Sequence, residues 1–428
     1  MWGAFFIVPH QTLTKTKNTI LVHMKTNKAK NNRLVLFVLF TFFIISILTN
    51  VLGALNPSAT LSFGLTETMA GFLPFSFFIA YGLMSIPAGI LLEKYGQRIM
   101  LIVAFLLSCM GSTLFVFWPT FGIFLVSLFT IGSGMAILQV VINPLLRVAG
   151  GEENYAFNSV LGQLCFGAAA FLSPYIYTKF VSGEVFPNVF SQDLNWVFMY
   201  GLFAILSLLM VFLTMFLKFP DIKLKGDERM GTFKIFQQLI GRRVVILYFL
   251  GIFAYVGTEQ GISYWMSKYL QNYHDLDFET IGASAVGNFW GLMTIGGILG
   301  LILLRLFDSK LVLKAFTGIT IICLGLALFA STNISLYSFQ ACGFFMSVMY
   351  PIIISLALNS IQEHHGSFAG ILMSGIMGGA IIQLLIGFIS DYASLKTGMF
   401  LNFIGLAFIF SIGVWAKPIV RNKTILNK

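Results

Sequence analysis

Twelve times along this chain the sequence runs for about 20 residues with almost nothing but apolar side chains. The runs occupy 34–55, 68–92, 98–118, 121–146, 155–180, 194–218, 244–270, 282–305, 310–330, 334–358, 367–390 and 398–416. At 1.5 Å of rise per residue, a helix of about 20 residues crosses the roughly 30 Å hydrocarbon core of a bilayer. Lipid offers no hydrogen-bond partner to a bare backbone, so runs of this kind must close their own hydrogen bonds as helices. The composition agrees: 57% of residues are hydrophobic and 10% are charged, where a soluble domain carries about 25%. Mean hydropathy is +0.88. The expectation is an all-α membrane protein of twelve transmembrane helices.

Polar or turn-forming pieces separate the runs, among them Asn56-Pro57, Trp118-Pro119-Thr120 and Gly150-Gly-Glu-Glu153. The longest connection in the middle, 219–243, carries Asp221, Lys223, Lys225, Asp227, Glu228 and Arg229, and it divides the chain six plus six. That gives an N-terminal half at 34–218, a central loop at 219–243, a C-terminal half at 244–416, and tails at 1–33 and 417–428. Met24 opens a second plausible start, so residues 1–23 are read as a mis-assigned extension. If the N-terminus is cytoplasmic, 23 of the 26 Lys and Arg fall on the cytoplasmic side, leaving Lys179, Lys268 and Lys396 outside. The positive-inside bias therefore places both termini in the cytoplasm. It also explains the net charge of +10 as topology, so the partner is a lipid bilayer and not nucleic acid.

One residue breaks the apolar pattern. Glu259 sits near the middle of the seventh run, while the other acidic residues lie in polar loops or near helix ends. A charged side chain deep in a bilayer costs roughly 2.5–3.5 kcal/mol on insertion scales, and such a residue turns inward to a partner or a watery cavity. Carboxyls buried away from opposite charge titrate nearer neutrality than solvated ones, so Glu259 is the candidate to carry a coupled proton. Sodium binding, sugar hydrogen bonding without proton transfer, and a structural bond between helices are the other readings. Nothing else suggests chemistry. Cys109, Cys165, Cys323 and Cys342 lie inside apolar runs without metal-ligand spacing, and His364-His365 is poor metal spacing, so no metal or other cofactor is expected. No nucleophile–base set stands in the spans, and no Gly-rich Lys-Ser/Thr phosphate loop is present. The chain reads as no enzyme, and any uphill work must draw on a gradient.

Span 4 contains Gln139 and Asn143, four apart and hence on one helix face, followed by Pro144. Span 5 adds Asn158 and Gln163. Amides offer both donors and acceptors to sugar hydroxyls, though they serve equally as bonds between helices. Tyr255, Tyr264, Trp265, Trp290 and Tyr350 could stack on the apolar face of a sugar ring, or simply pack. Between spans 2 and 3 stands Gly89-Ile-Leu-Leu-Glu-Lys-Tyr-Gly-Gln-Arg98. Gly89 allows close helix approach, and Glu93, Lys94 and Arg98 can form an ion-pair latch at the cytoplasmic edge. Asp391 ends span 11 and is read as a cap or gate.

That loop resembles the signature of the major facilitator superfamily. Leu-Gln-x-x-x-Asn-Pro in span 4, Tyr255-Val-Gly-Thr-Glu259, Asn288-Phe-Trp-Gly-Leu-Met and Gly378-Gly-Ala-Ile-Ile-Gln383 with Gly387-Phe-Ile-Ser-Asp391 resemble its fucose–galactose–glucose:proton symporter family. The likeness runs from about residue 34 to 417. It implies the two-half major facilitator fold and import of a hexose or 6-deoxyhexose with protons, across a bacterial inner membrane, by a monomer. Taken with the residue readings above, Asn50, Gln139, Asn143, Gln163, Asn288 and Trp290 are the candidates for the sugar, Glu259 for the proton, and Gly89, Glu93, Lys94, Arg98 and Asp391 for gating. There are departures. The fucose branch carries acids in span 1 and span 4 where this chain has Asn50 and Gln139, and an amide cannot release a proton. Family members often carry Gly-Arg in span 8 where this chain has Gly296-Gly297. Glutamine in span 4 resembles the glucose/galactose-like branch. The rival expectations are an exporter of drugs or amphipathic compounds on the same fold, and a membrane sensor that has lost transport.

Overall fold

The computed structural model describes residues 32–151, 155–182, 192–219, 233–361 and 363–419, and they are almost entirely helical. Most of the two tails and most of the central loop (220–232) therefore lie outside the described residues. Among the described residues, eleven helices are long and apolar enough to cross a membrane. One of them, Glu67–Phe117, is 51 residues long, about 76 Å at 1.5 Å per residue, more than twice a bilayer core. It is not one rod. Gly96 takes φ 75° and ψ 165° inside it, a left-handed φ that a side chain would resist. Divided there, the helix gives spans 2 (67–95) and 3 (97–117), and the total is twelve.

The remaining spans are 1 (Asn32–Phe63), 4 (Phe121–Gly150), 5 (Asn158–Val181), 6 (Leu194–Phe216), 7 (Arg243–His274), 8 (Phe278–Leu306), 9 (Ser309–Phe329), 10 (Thr332–Leu358), 11 (Gly366–Tyr392) and 12 (Leu395–Trp415). Their starts are written in the sequence. Thr66, Thr120, Asp308 and Ser394 each accept a hydrogen bond from a backbone N–H two or three residues on, serving donors that the first turn leaves open.

Two connections differ from expectation. Asn56-Pro57 does not end span 1 but lies inside the helix Leu52–Phe63, which closes instead at Gly64 with φ 59°. Proline costs that helix one hydrogen bond, to the Gly53 carbonyl, just after the helix has already broken at Val51. In the middle connection Phe233–Ile240 forms a short helix that buries Phe236 and Leu239 and leaves Gln237 and Gln238 exposed.

Spans 2, 3, 4 and 6 pack together, as do 1 and 5; in the second half 8, 9 and 10 pack together, and 7 and 12. The halves meet where span 2 packs on 11 and span 5 on 8. Adding six to each number turns one pair into the other, the mark of two pseudo-symmetric six-helix halves about an axis near spans 1 and 7. Small residues let these helices close up, as is usual in membranes. A side chain at Gly71 would meet the Gln383 carbonyl, one at Gly287 would meet Tyr175 and the Phe171 carbonyl, and one at Gly53 would meet the Ser263 carbonyl.

The glycines separate close packing from open surface. At Gly132 in span 4 a side chain would run into the Phe77 carbonyl and Ala80 of span 2, whereas Gly318 in span 9 has open space around it. Overpacking of this kind costs about 1–3 kcal/mol. Gly132→Leu is therefore expected to lower the melting temperature of the purified protein in detergent by several degrees, and Gly318→Leu to leave it nearly unchanged.

Candidate functional site

Glu259 lies midway along span 7, with no exposed surface. The Tyr255 hydroxyl, one turn earlier on the same face, donates to Glu259 Oε1 at 2.6 Å. The same hydroxyl lies 3.3 Å from the Met346 carbonyl of span 10, and the Tyr255 and Tyr350 rings are 5.6 Å apart. Span 10 is itself broken here, into Thr332–Met346 and Met349–Leu358. The sequence singles out Glu259 but gives no sign that its face is turned toward a helix break within its own half.

The buried amides are a second set of candidates. Gln139 Oε1, Asn143 Oδ1, both polar atoms of Gln163, Gln260 Nε2, Gln383 Oε1 and the Trp290 indole N–H are buried without a hydrogen-bond partner among the described residues. Gln383 gives its other atom to the Gly257 carbonyl at 3.4 Å, and Asn143 Nδ2 bonds back to the Gln139 carbonyl at 3.3 Å. Leaving a buried polar atom unserved costs about 1–3 kcal/mol. Such a set in spans 4, 5, 7, 8 and 11 is what a polar ligand with many hydroxyls could satisfy. Gln163 lies half a turn round span 5 from exposed Leu172, and Trp290 lies about 140° and 120° round span 8 from exposed Ile295 and Ile302. Both therefore turn away from lipid.

Two nominated residues are placed differently. Asn50 donates to Ser46 Oγ at 3.0 Å, and Ser46 in turn donates to the Phe166 carbonyl of span 5. That amide knits span 1 to span 5. Asn288 falls about 160° round span 8 from Trp290 and accepts from the Tyr175 hydroxyl at 3.1 Å, a bond across the seam between the halves.

More bonds cross that seam, and they cluster on the face where spans 1–2, 7–8 and 11–12 join, here the first face. Asn56 Nδ2 donates to the Tyr264 carbonyl at 3.3 Å, and the Tyr264 hydroxyl donates to the Ala70 carbonyl at 2.6 Å. Lys268 Nζ lies 2.8 Å from Glu67 Oε2, with 8% and 21% of the two side chains exposed, and 3.4 Å from Thr60 Oγ1. The two Asp391 oxygens accept from the backbone N–H groups of Glu67 and Thr68, each at 2.8 Å. A span 11 carboxylate thus caps span 2, with its charge on the positive end of that helix. Sequence reasoning named Asp391 as a cap or gate and Tyr264 only as a stacking or packing ring, and it gave no role here to Asn56, Lys268 or Glu67. An apparent turn hid Asn56, and Lys268 and Glu67 looked like solvated ends of separate helices.

On the second face spans 4 and 10 make no comparable packing among the described residues. Gly89 is buried there, while Glu93, Lys94 and Arg98 are exposed. Arg98 donates to the Met215 carbonyl of span 6 at 2.5 Å, inside its own half, and Lys94 lies 5.1 Å from the centre of the Tyr95 ring.

Two six-helix halves, joined across a pseudo-twofold seam and holding unserved polar groups, define a secondary carrier of the alternating-access type. The family model of the Major Facilitator Superfamily matches residues 38–383, and the chain belongs to that superfamily. It is 28% identical over 399 residues to the glucose/galactose transporter of Brucella abortus biovar 1 (strain 9-941), covering 92% of this chain and 96% of that one. It is 28% identical over 380 residues to the L-fucose-proton symporter of Escherichia coli (strain K12), covering 82% and 85%. The crystal structure of the E. coli fucose:proton symporter aligns with a TM-score of 0.66 at 23% identity, over 91% of this chain and all of that one. That of a D-xylose-proton symporter aligns with a TM-score of 0.70 at 14% identity, over 93% and 100%. At these identities the solved structures speak for the fold.

The Lys268–Glu67 pair lies between two regimes: exposed pairs contribute about 0.2–1 kcal/mol, and breaking fully buried ones costs about 3–5 kcal/mol. Lys268→Met is expected to favour opening of the first face by on the order of 1–2 kcal/mol, a factor of roughly 5–30. Faster thiol labelling of a cysteine placed at Asn56 would report it.

Proposed function

We propose that this chain imports a monosaccharide, a hexose or 6-deoxyhexose such as glucose, galactose or fucose, together with protons, by alternating access. The buried amide atoms without partners carry the sugar reading, because a ring of hydroxyls offers each of them a matching donor or acceptor. An apolar drug would leave them unserved. The relatives matched along most of the chain are named as hexose and fucose carriers, which supports the same class of cargo.

In this reading Gln139, Asn143, Gln163, Gln260 and Gln383 bond the sugar and Trp290 stacks on it, while Asn50 and Asn288 position the helices that present them. Glu259 takes up the coupled proton. The halves are 34–218 and 244–416, joined by the loop 219–243. The protein works as a monomer in a bacterial inner membrane with both tails cytoplasmic, as the basic residues argue. The first face then looks outward, and its bonds from Lys268, Asp391 and Tyr264 hold the outer entrance shut. Gly89, Glu93, Lys94 and Arg98 lie on the cytoplasmic side, where they latch the alternate state.

Uptake of labelled glucose, galactose and fucose into proteoliposomes, with and without an imposed inward proton gradient, tests the whole. One of the three is expected to accumulate only with the gradient. Glu259→Gln is expected to exchange that sugar across the membrane but not concentrate it. Gln139→Leu and Gln163→Leu are each expected to raise the half-saturation concentration about tenfold, or 1.4 kcal/mol. Uptake indifferent to the proton gradient would sink proton symport. No saturable uptake of any of the three would return the protein to the exporter or sensor readings.

A further inference from the structure

Tyr255 has one hydroxyl hydrogen and two acceptors within reach, Glu259 Oε1 at 2.6 Å and the Met346 carbonyl at 3.3 Å. We infer that Tyr255 is the switch that reports the protonation of Glu259 to the break in span 10, an inference that rests on Glu259 being the proton site. An ionised Glu259 has no hydrogen of its own and claims the one on Tyr255. A protonated Glu259 donates its new O–H to Tyr255 Oη. The tyrosine hydrogen then turns about the Cζ–O bond to the Met346 carbonyl. One proton is added to the pair, and tyrosine keeps its own throughout.

The receiving carbonyl sits at a hinge. Met346 is the last residue of the helix Thr332–Met346, so its carbonyl is one of the end groups that look for a partner outside the helix. Ser347 and Val348 form the turn between the two helices of span 10. Pro351 lacks the N–H that would have served the Ser347 carbonyl. Beyond the turn, Met349–Leu358 runs to the second face, where spans 4 and 10 do not pack closely. A hydrogen bond gained or lost at Met346 therefore acts on the segment whose swing opens or closes that face.

Besides Tyr255, the titratable groups seen near Glu259 among the described residues include Tyr350 of span 10 and, next to Tyr350 from span 2, Tyr81. The middle parts of spans 1, 8, 10, 11 and 12 contribute no Asp, Glu, Lys, Arg or His; Arg305 and Asp391 lie at helix ends. Lys268 is nine residues further along span 7 and is paired with Glu67.

The test uses the full chain in lipid nanodiscs, spin-labelled near the second-face ends of spans 4 and 10, with distances measured in acidic and alkaline buffer. The native distribution is expected to shift between the two buffers. Tyr255→Phe is expected to show one distribution in both. Glu259→Gln, whose amide N–H can donate to Tyr255 as a protonated carboxyl does, is expected to show the acidic distribution in both. Pro351→Ala, which restores a donor for Ser347 and leaves Tyr255 and Glu259 in place, is expected to shrink the shift at least twofold, and it stands in if the tyrosine variant does not fold. A shift that survives in Tyr255→Phe, or at full size in Pro351→Ala, overturns the switch and leaves proton coupling at Glu259 standing. If neither the buffer nor Glu259→Gln moves the native distribution, both the switch and the proton site fall.

Discussion

A backbone in hydrocarbon must satisfy its own hydrogen bonds, and the rest of this molecule follows from that. It makes every apolar run a helix. It also makes departures from helix informative, since irregular backbone at membrane depth survives only where protein surrounds it. The break at Val51 in span 1 and the turn at Ser347–Val348 in span 10 are both buried. Both stand on helices next to span 7: Leu52–Phe63 packs on it on one side, and Met349–Leu358 on another. The span that carries the lone mid-membrane carboxylate is thus flanked by two interrupted helices.

The seam between the halves obeys a related rule. Lipid tails are as apolar as leucine, so burying apolar surface gives little drive to hold one half against the other. Close backbone approach at glycines and a few polar bonds do that work here. Gly53, Gly71, Gly287 and Gly387 each face a carbonyl of the opposite half, while Tyr264, Lys268, Asp391 and Asn288 supply the polar bonds. A seam made of such parts can close without a large hydrophobic commitment. That suits a carrier that must open it again in every cycle.

The helices and their number were legible in the sequence because they depend on run length and hydropathy, which are local; the major facilitator fold was legible only through the resemblance carried by the Gly89–Arg98 loop and the motifs in spans 4, 7, 8 and 11. Glu259 was legible for the same reason: a carboxylate among apolar residues is costly wherever the helix turns. What could not be read was direction. Asn56-Pro57 has the composition of a turn, and only the left-handed Gly64 and the cap at Thr66 mark where span 1 ends. Asn288 and Trp290 are two residues apart in one motif, yet the helix places them on nearly opposite sides. Lys268 and Glu67 are about 200 residues apart, and no local pattern announces that they meet. Gln139 and Gln163 were singled out as amides, but that their polar atoms stay unserved is a property of the packed neighbours.

The unserved amides lie in both halves, but the mid-membrane acid lies in one. In the N-terminal half spans 4 and 5 hold amides, which can grip hydroxyls but cannot exchange protons. The mid-membrane acid lies in the C-terminal half, bonded by Tyr255 and facing the broken span 10. A carrier with its proton acids beside the sugar in the N-terminal half couples through direct competition or shared bonding. With Gln139 and Asn50 in place of acids, that route is closed to this chain, because an amide keeps its hydrogens through the cycle. With Glu259 as the proposed proton site, coupling would act through the shape of the protein: a proton arriving there would change which helices close on the sugar, and span 10, which Tyr255 touches at the Met346 carbonyl, is the element placed to make that change.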